Sequence, residues 1–168
     1  MPWRRSAKAC SGEARTDAQA ARAAAIALLA RRDFASAALL VRLCAKRFNV
    51  DTAAAVIAEL TAEGALNDER YAQNYLAYHA ARGHGPIRIA AELRRDGLSA
   101  EVVDAALGGG PDWSALARKT RSARFGPQPP GSWAEKARQA RFLQYRGFSS
   151  DHILAATGAD PDTGLTDP

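Results

Sequence analysis

A helix that ends at a glycine and restarts at a serine is written twice in this chain, and no other feature limits the fold so sharply. LRRDGLSAEVVDAAL occupies 93–107 and LQYRGFSSDHILAAT occupies 143–157. In each, a Leu lies four residues before the Gly, Leu98 or Phe148 follows it, and then comes Ser99 or Ser149. Glycine accepts the left-handed conformation that closes a helix, the apolar side chain plugs the turn, and the serine caps the next helix. A looser copy runs from Leu39 to Leu60, with Arg47, Phe48 and Asn49 in the Gly, apolar and cap slots. Copies about 50 residues apart suit small stacked helical modules.

Helical periodicity continues from about Asp17 to Thr157, and strand signals are almost absent. The pattern predicts helices near 17–31, 35–47, 51–63, 68–82, 86–96, 100–107, 113–125, 133–146 and 150–157. Gly64 closes the first three, GHGP at 83–86 makes a helix-to-helix corner, and Gly108 to Pro111 sets off the last three. Pro86 fits a first helical turn, where its missing N–H would have no partner anyway. The expected fold is all-α: three tandem three-helix repeats in a curved, elongated array. They span 16–66, 67–110 and 111–157, between a disordered basic arm at 1–15 and a disordered tail at 158–168.

Ala supplies much of the 47% hydrophobic content, and aromatics contribute only 7%, so each module is expected to be thinly cored and to depend on its neighbours. No apolar run approaches the roughly 20 residues that cross a bilayer, and residues 1–15 lack a signal-peptide core. A soluble, cytoplasmic chain is expected. Cys10 and Cys44 have neither CxxC spacing nor zinc-site neighbours. Cys44 reads as a buried small hydrophobe and Cys10 as an exposed thiol in the arm.

Charge is laid out in blocks. Ten bases face three acids in residues 1–50, one faces five in 51–81, four face five in 82–112, eight face one in 113–147, and 148–168 holds four acids alone. Alternating stripes on a chain of net charge +5 suit a protein that meets a polyanion with some surfaces and protein with others. The sharpest cluster is Arg118, Lys119, Arg121 and Arg124, followed on the next helix by Lys136, Arg138, Arg141 and Arg146. With Glu135 the one carboxylate among eight bases, pairing within the helices cannot neutralise it. At 100° per residue, Arg138, Arg141 and Tyr145 share a stripe from which Ala137, Ala140 and Trp133 are rotated away, and Arg beside Tyr can hold a phosphate and offer a ring for stacking. Trp133 and Phe142 point in opposite directions, so one of them faces away from its own module's core. Arg88, Arg94 and Arg95 of the second copy complete the candidate contact set, although Arg88, Glu92 and Arg95 at i, i+4 and i+7 also suit ion pairing along an exposed face.

Enzyme signatures are missing. His79, His84 and His152 show no HExxH or paired-ligand spacing, and no phosphate loop precedes a helix. Adjacent Asp68 and Glu69 diverge on a helix instead of pairing for acid–base work; Asp68 reads as stabilising its helix start beside Asn67. No catalytic residue, metal site or cofactor is expected.

In order, RRDFASAALLVRL at 31–43, GALNDERYAQNYL at 64–76, GHGPIRIAAELRRDGLS at 83–99, DWSALARKTRSARFG at 112–126 and KARQARFLQYRGFSSDHI at 136–153 resemble the RecX family of recombination regulators over about Arg31 to Ala156. The resemblance implies an all-α protein that binds the RecA recombinase filament on DNA. It also implies inhibition of that filament's ATP hydrolysis, strand exchange and coprotease activity, by groove binding or end capping and without catalysis of its own. Two departures fall in the first copy: Ala38 stands where an acidic residue is usual, and Ala35 where Ser is usual. The implied partners are the RecA filament and single- or double-stranded DNA, held weakly and without sequence preference, by a monomer away from any membrane. A tandem helix-turn-helix protein that binds DNA directly and non-specifically is the alternative, although no helix offers the Arg, Asn and Gln set that reads bases. A plain helical scaffold is a third reading.

Overall fold

A computed structural model describes residues 15–158. Among them are nine α-helices: α1 (Ala18–Leu29), α2 (Ser36–Ala45), α3 (Val50–Ala62), α4 (Asp68–Ala81), α5 (Pro86–Arg95), α6 (Ala100–Gly108), α7 (Trp113–Phe125), α8 (Trp133–Arg146) and α9 (Ser150–Thr157). No strand occurs in this span, where Arg15 and Phe48 form one isolated bridge. The expected arm and tail lie outside the described residues except for Arg15 and Gly158, and Cys10 lies outside them too. The chain forms two compact units. One is the described part of Met1–Tyr71 with Arg95–Val102; the other is Ala72–Arg94 with the described part of Val103–Pro168.

In the first unit α1, α2 and α3 each pack against the other two. Ala21 and Ala25, one turn apart, are fully buried and let α1 approach closely, while Leu39, Leu43, Val56 and Leu60 fill the centre. Phe34, Phe48 and Leu66 close the cluster from the connecting turns. The α2–α3 turn is left-handed at Arg47 (φ 68°), and the Phe48 N–H returns to the Leu43 carbonyl at 3.2 Å. Arg15 pairs its backbone across this turn, at 2.8 Å to the Arg47 carbonyl and 2.9 Å from the Asn49 N–H.

The residue before α2, where a cap would stand, is Ala35, which has no side chain able to accept. The Asp68 carboxylate fills that role from α4, accepting the Ser36 N–H at 2.8 Å. Its own helix start, which its place in the sequence suggests it serves, is capped instead by Asn67, accepting the Arg70 N–H at 2.7 Å. Gly97 (φ 94°) abuts the same end of α2: a Cβ on it would sit 2.4 Å from the Ala37 Cβ. The Tyr71 hydroxyl, which donates to Asp96 at 2.8 Å, holds this turn, and burial with that bond pushes its pKa up to about 12.

In the second unit α7, α8 and α9 likewise pack pairwise, around Ala117, Ala140, Leu143, Phe148 and Ile153. The α8–α9 turn is left-handed at Gly147 (φ 88°), and the Phe148 N–H reaches the Leu143 carbonyl at 3.2 Å. Gly147 lies against the start of α5, where the Gly85 N–H donates to the Arg146 carbonyl (2.8 Å) and the Ile87 N–H to the Gly147 carbonyl (3.0 Å). Pro86 stands between them as the first residue of α5, the position its ring favours. A Cβ at Gly147 would lie 2.3 Å from the Arg88 Cβ, and one at Gly85 would lie 2.3 Å from the Gly147 carbonyl oxygen.

Candidate functional site

Helices α7 and α8 carry the basic cluster, and the local sequence uses up its acids in making them. Asp112 caps α7 by accepting the Ala115 N–H at 2.9 Å. Ser132 and Glu135 form a reciprocal capping box on α8, with the Glu135 carboxylate 2.8 Å from the Gly131 N–H. These backbone donors hold both carboxyls below their ordinary range. Arg118, Lys119, Arg124, Arg138 and Arg141 are all exposed, and among the described residues none has a carboxylate within salt-bridge distance. Tyr145 is 86% exposed, beside Arg138 and Arg141 on the outer stripe of α8, while Ala140 and Leu143 face the core.

Aromatic rings join the cations of the two helices. Phe125, at the end of α7, meets Phe142 of α8 edge to face at 5.3 Å between centroids. The guanidiniums of Arg124 and Arg138 lie 5.8 and 5.6 Å from the Phe125 ring centre, and that of Arg146 lies 5.2 Å from Phe142. Of the opposed pair on α8, Phe142 is thus the half-buried member, and Trp133, 52% exposed, is the one that faces outward.

Of the remaining candidates, Arg121, Arg88, Arg94 and Arg146 are engaged elsewhere. Arg121 requires a correction: it is a buried brace, 5% exposed, and offers no surface contact. Its guanidinium donates to the carbonyls of Gln128 (2.8 Å) and Pro127 (3.2 Å), to Gln139 (3.3 Å) and to Ser122 (3.0 Å). The cause is the 126–132 loop, whose Pro127 and Gln128 carbonyls take their donor from this α7 side chain. Arg88 pairs with Glu92 at 3.1 Å and Arg94 with Asp104 at 3.0 Å. Arg146 donates to the Arg82 carbonyl at 3.0 Å, and half-buried Lys136 lies near Gly158, at the carbonyl end of α9. Arg95 is exposed, in the first unit.

Two groupings escaped the sequence reading. Phe125 and the Arg82–Tyr78 pair, whose guanidinium stacks 4.0 Å from the ring centre and donates to the hydroxyl, add aromatic character to the second unit. The ARF ending of α7 could have flagged Phe125. Histidine spacing misled more seriously: His79 and His84 face each other across the GHGP corner, with their Nδ1 atoms 3.1 Å apart and Glu92 beside them. A corner reverses the chain, so helical spacing rules do not register the pair. Burial lowers the pKa of both imidazoles. Burial would raise that of Glu92, but bonds from Tyr75 (2.8 Å) and Arg88 outweigh it and leave the carboxyl low.

Two family models match the chain, the second three-helix domain of RecX over residues 67–107 and the third over 112–157. A regulatory protein RecX of Halorhodospira halophila is 39% identical over 148 residues, covering 88% of this chain and 92% of the relative. The chain belongs to the RecX family. RecX of Pseudomonas fluorescens is 37% identical over 145 residues, 84% of this chain and 94% of its own length. The crystal structure of RecX from Lactobacillus salivarius shares the fold with a TM-score of 0.73 at 20% identity, covering 83% of this chain and 94% of that one. A second RecX crystal structure gives 0.70 at 20% identity, covering 83% and 70%. The RecX family is one of regulatory proteins by the names its curated members carry, and no described helix is long and apolar enough to cross a membrane.

Proposed function

We propose that this chain regulates the RecA recombinase in the cytoplasm by binding its filament on DNA, and that it inhibits ATP hydrolysis, strand exchange and coprotease activity. Membership of the RecX family supports the class of partner. The observation that carries the contact is the basic face of α7 and α8: Arg118, Lys119, Arg124, Arg138 and Arg141 exposed, none of them in a salt bridge among the described residues although Asp112 and Glu135 feel the charges of Arg118 and Arg138, and Tyr145 almost fully exposed. Such a face meets phosphates or an acidic protein surface through charge, with a ring available for stacking. Successive three-helix modules over 16–66, 67–110 and 111–157 would add weak contacts along a filament, giving avidity without one tight site. Arg88 and Arg94, each already paired with a carboxylate, carry less of this reading than their charge alone suggests.

The test is the R138E/R141E double variant assayed for inhibition of filament-dependent ATP hydrolysis. Reversing two exposed charges should weaken inhibition on the order of tenfold at low salt, and less at high salt, with helix content intact. Undiminished inhibition by the folded variant moves the contact face elsewhere. The same exposed ring and cations also favour direct, non-specific binding of DNA. Fluorescence anisotropy on naked single- and double-stranded DNA, set against filament at equal salt, separates the two, because a filament regulator prefers the filament.

A further inference from the structure

The corner between α4 and α5 gathers donors that neither helix holds alone. His79 lies in the last turn of α4, His84 follows the left-handed Gly83, and Glu92 lies on α5. One ligand atom from each lies within 4.8 Å of the others, and all three side chains are half-buried. The two Nδ1 atoms are 3.1 Å apart. Nitrogens bound to one zinc at about 2.0–2.1 Å are separated by about 2.9 Å at a right angle and about 3.4 Å at a tetrahedral one, so the observed spacing falls between these limits.

We propose that His79, His84 and Glu92 form a binding site for a divalent ion of the zinc class. Two imidazoles and a carboxylate are a borderline donor set suited to such ions, and the fourth position stays open to water. Outer partners already orient the ligands. Tyr75 stacks on His79 at 4.1 Å between centroids and donates its hydroxyl to Glu92 at 2.8 Å. Glu92 closes the remaining distance to the imidazoles by turning about its side-chain torsions, giving up its bond from Arg88.

Arg88 opposes the ion. Its Nε holds the other Glu92 oxygen at 3.1 Å, and its charge, like those of Arg82 and Arg146, acts on the imidazoles. Binding is therefore weaker than in a closed structural site, and removing Arg88 strengthens it. The ion would tie α4 to α5 across the corner whose Gly85 and Ile87 amides hold the α8–α9 turn, stiffening that seat.

The experiment titrates the untagged full chain with Zn2+ against a chromogenic chelator, and with Co2+ read by its visible absorption. One equivalent should bind, giving a tetrahedral or five-coordinate cobalt spectrum. H79Q, H84Q and E92Q should each lower affinity by more than the roughly 10–100-fold that loss of an outer partner costs. R88Q should raise affinity severalfold, while H152Q changes nothing. At a hundredfold excess over Kd, Zn2+ should raise the parent's Tm by about 5–10 °C. Absence of stoichiometric binding by the folded parent overturns the site and leaves the histidines as an N–H···N pair. Binding that survives both histidine substitutions, or that R88Q fails to tighten, overturns it as well. Should a histidine variant fail to fold, the parent spectrum and the R88Q titration still decide.

Discussion

The α2–α3 and α8–α9 turns are built on one plan and constrained by different neighbours. Leu43, Arg47, Phe48 and Asn49 correspond to Leu143, Gly147, Phe148 and Ser149, and both turns return the Phe N–H to the Leu carbonyl at 3.2 Å. Yet one left-handed residue is an arginine and the other a glycine. Arg47 is exposed, so its side chain has room and only the backbone conformation carries a cost, of about 1–2 kcal/mol. Gly147 lies against the first turn of α5, where a side chain would overlap Arg88. Gly97 is held in the same way against Ala37 of α2. Close approach, more than positive φ, demands glycine in these turns.

The largest expected effect breaks that equivalence. Gly147→Val should destabilise the fold by at least about 3 kcal/mol, through the overlap with Arg88 added to left-handed strain in a β-branched residue. Arg47→Val, the same change in the matching turn, should cost only about 1 kcal/mol, because an L side chain already occupies the strained conformation. Urea unfolding of both variants checks the difference. Equal midpoints would mean that the seat on α5 adds nothing.

The two helix triads also differ in what fills them. The first buries only apolar side chains, Phe34 and Phe48 among them, and its Arg22 pairs at the surface, 2.7 Å from Glu63 and 3.6 Å from Glu59. The third buries Arg121 and Gln139 under a loop. Arg121→Met should cost about 2–4 kcal/mol, because the carbonyls of Gln128 and Pro127 lose their donor. Leu39→Ala in the first triad should cost a similar 2–5 kcal/mol through a cavity. Limited proteolysis distinguishes the causes: cleavage within 126–132 should accelerate in the arginine variant and stay unchanged in the leucine variant.

Much of this was legible in the sequence because it is local. Glycine followed by an apolar plug and a cap marks helix ends within a residue or two, and all nine helices fall where their periodicity places them. Exposure of Arg138, Arg141 and Tyr145 follows from one helix's own period. What stayed hidden depends on elements distant in sequence. Arg121 carries the same charge as its exposed neighbours, and only the path of the 126–132 loop draws it inward. Asp68 looks like a residue of its own helix until α2 is seen to have an alanine at its cap position. His79 and His84 meet because a corner folds them together.

That borrowed cap gives a smaller test of how the first triad differs from the third. Asp68→Ala should cost about 1 kcal/mol, the usual loss when a helix start forfeits its side-chain acceptor, although the changed residue lies on α4. Asp68→Asn should recover most of it, since an amide oxygen accepts the Ser36 N–H nearly as well. In the third triad Ser149 caps α9 from the adjacent position, so Ser149→Ala should cost a similar amount and no distant residue should rescue it. Thermal melts of the three variants check the pattern.

The smallest expected effect has the opposite sign. Replacing Arg47 by Gly removes the left-handed strain, worth about 1 kcal/mol or slightly more, and adds backbone freedom to the unfolded chain, which costs about 0.5–1 kcal/mol. The guanidinium is exposed, so its loss changes little packing. The net result should be a gain of a few tenths of a kcal/mol, read as a Tm rise of about 1 °C. A gain this small explains how a non-glycine residue persists at a position where the other two copies of the phrase carry glycine. A gain above about 1.5 kcal/mol would show strain at Arg47 beyond that of an ordinary left-handed residue. A net loss would show that the arginine side chain supports the turn, and the two turns would then differ in more than the room each allows.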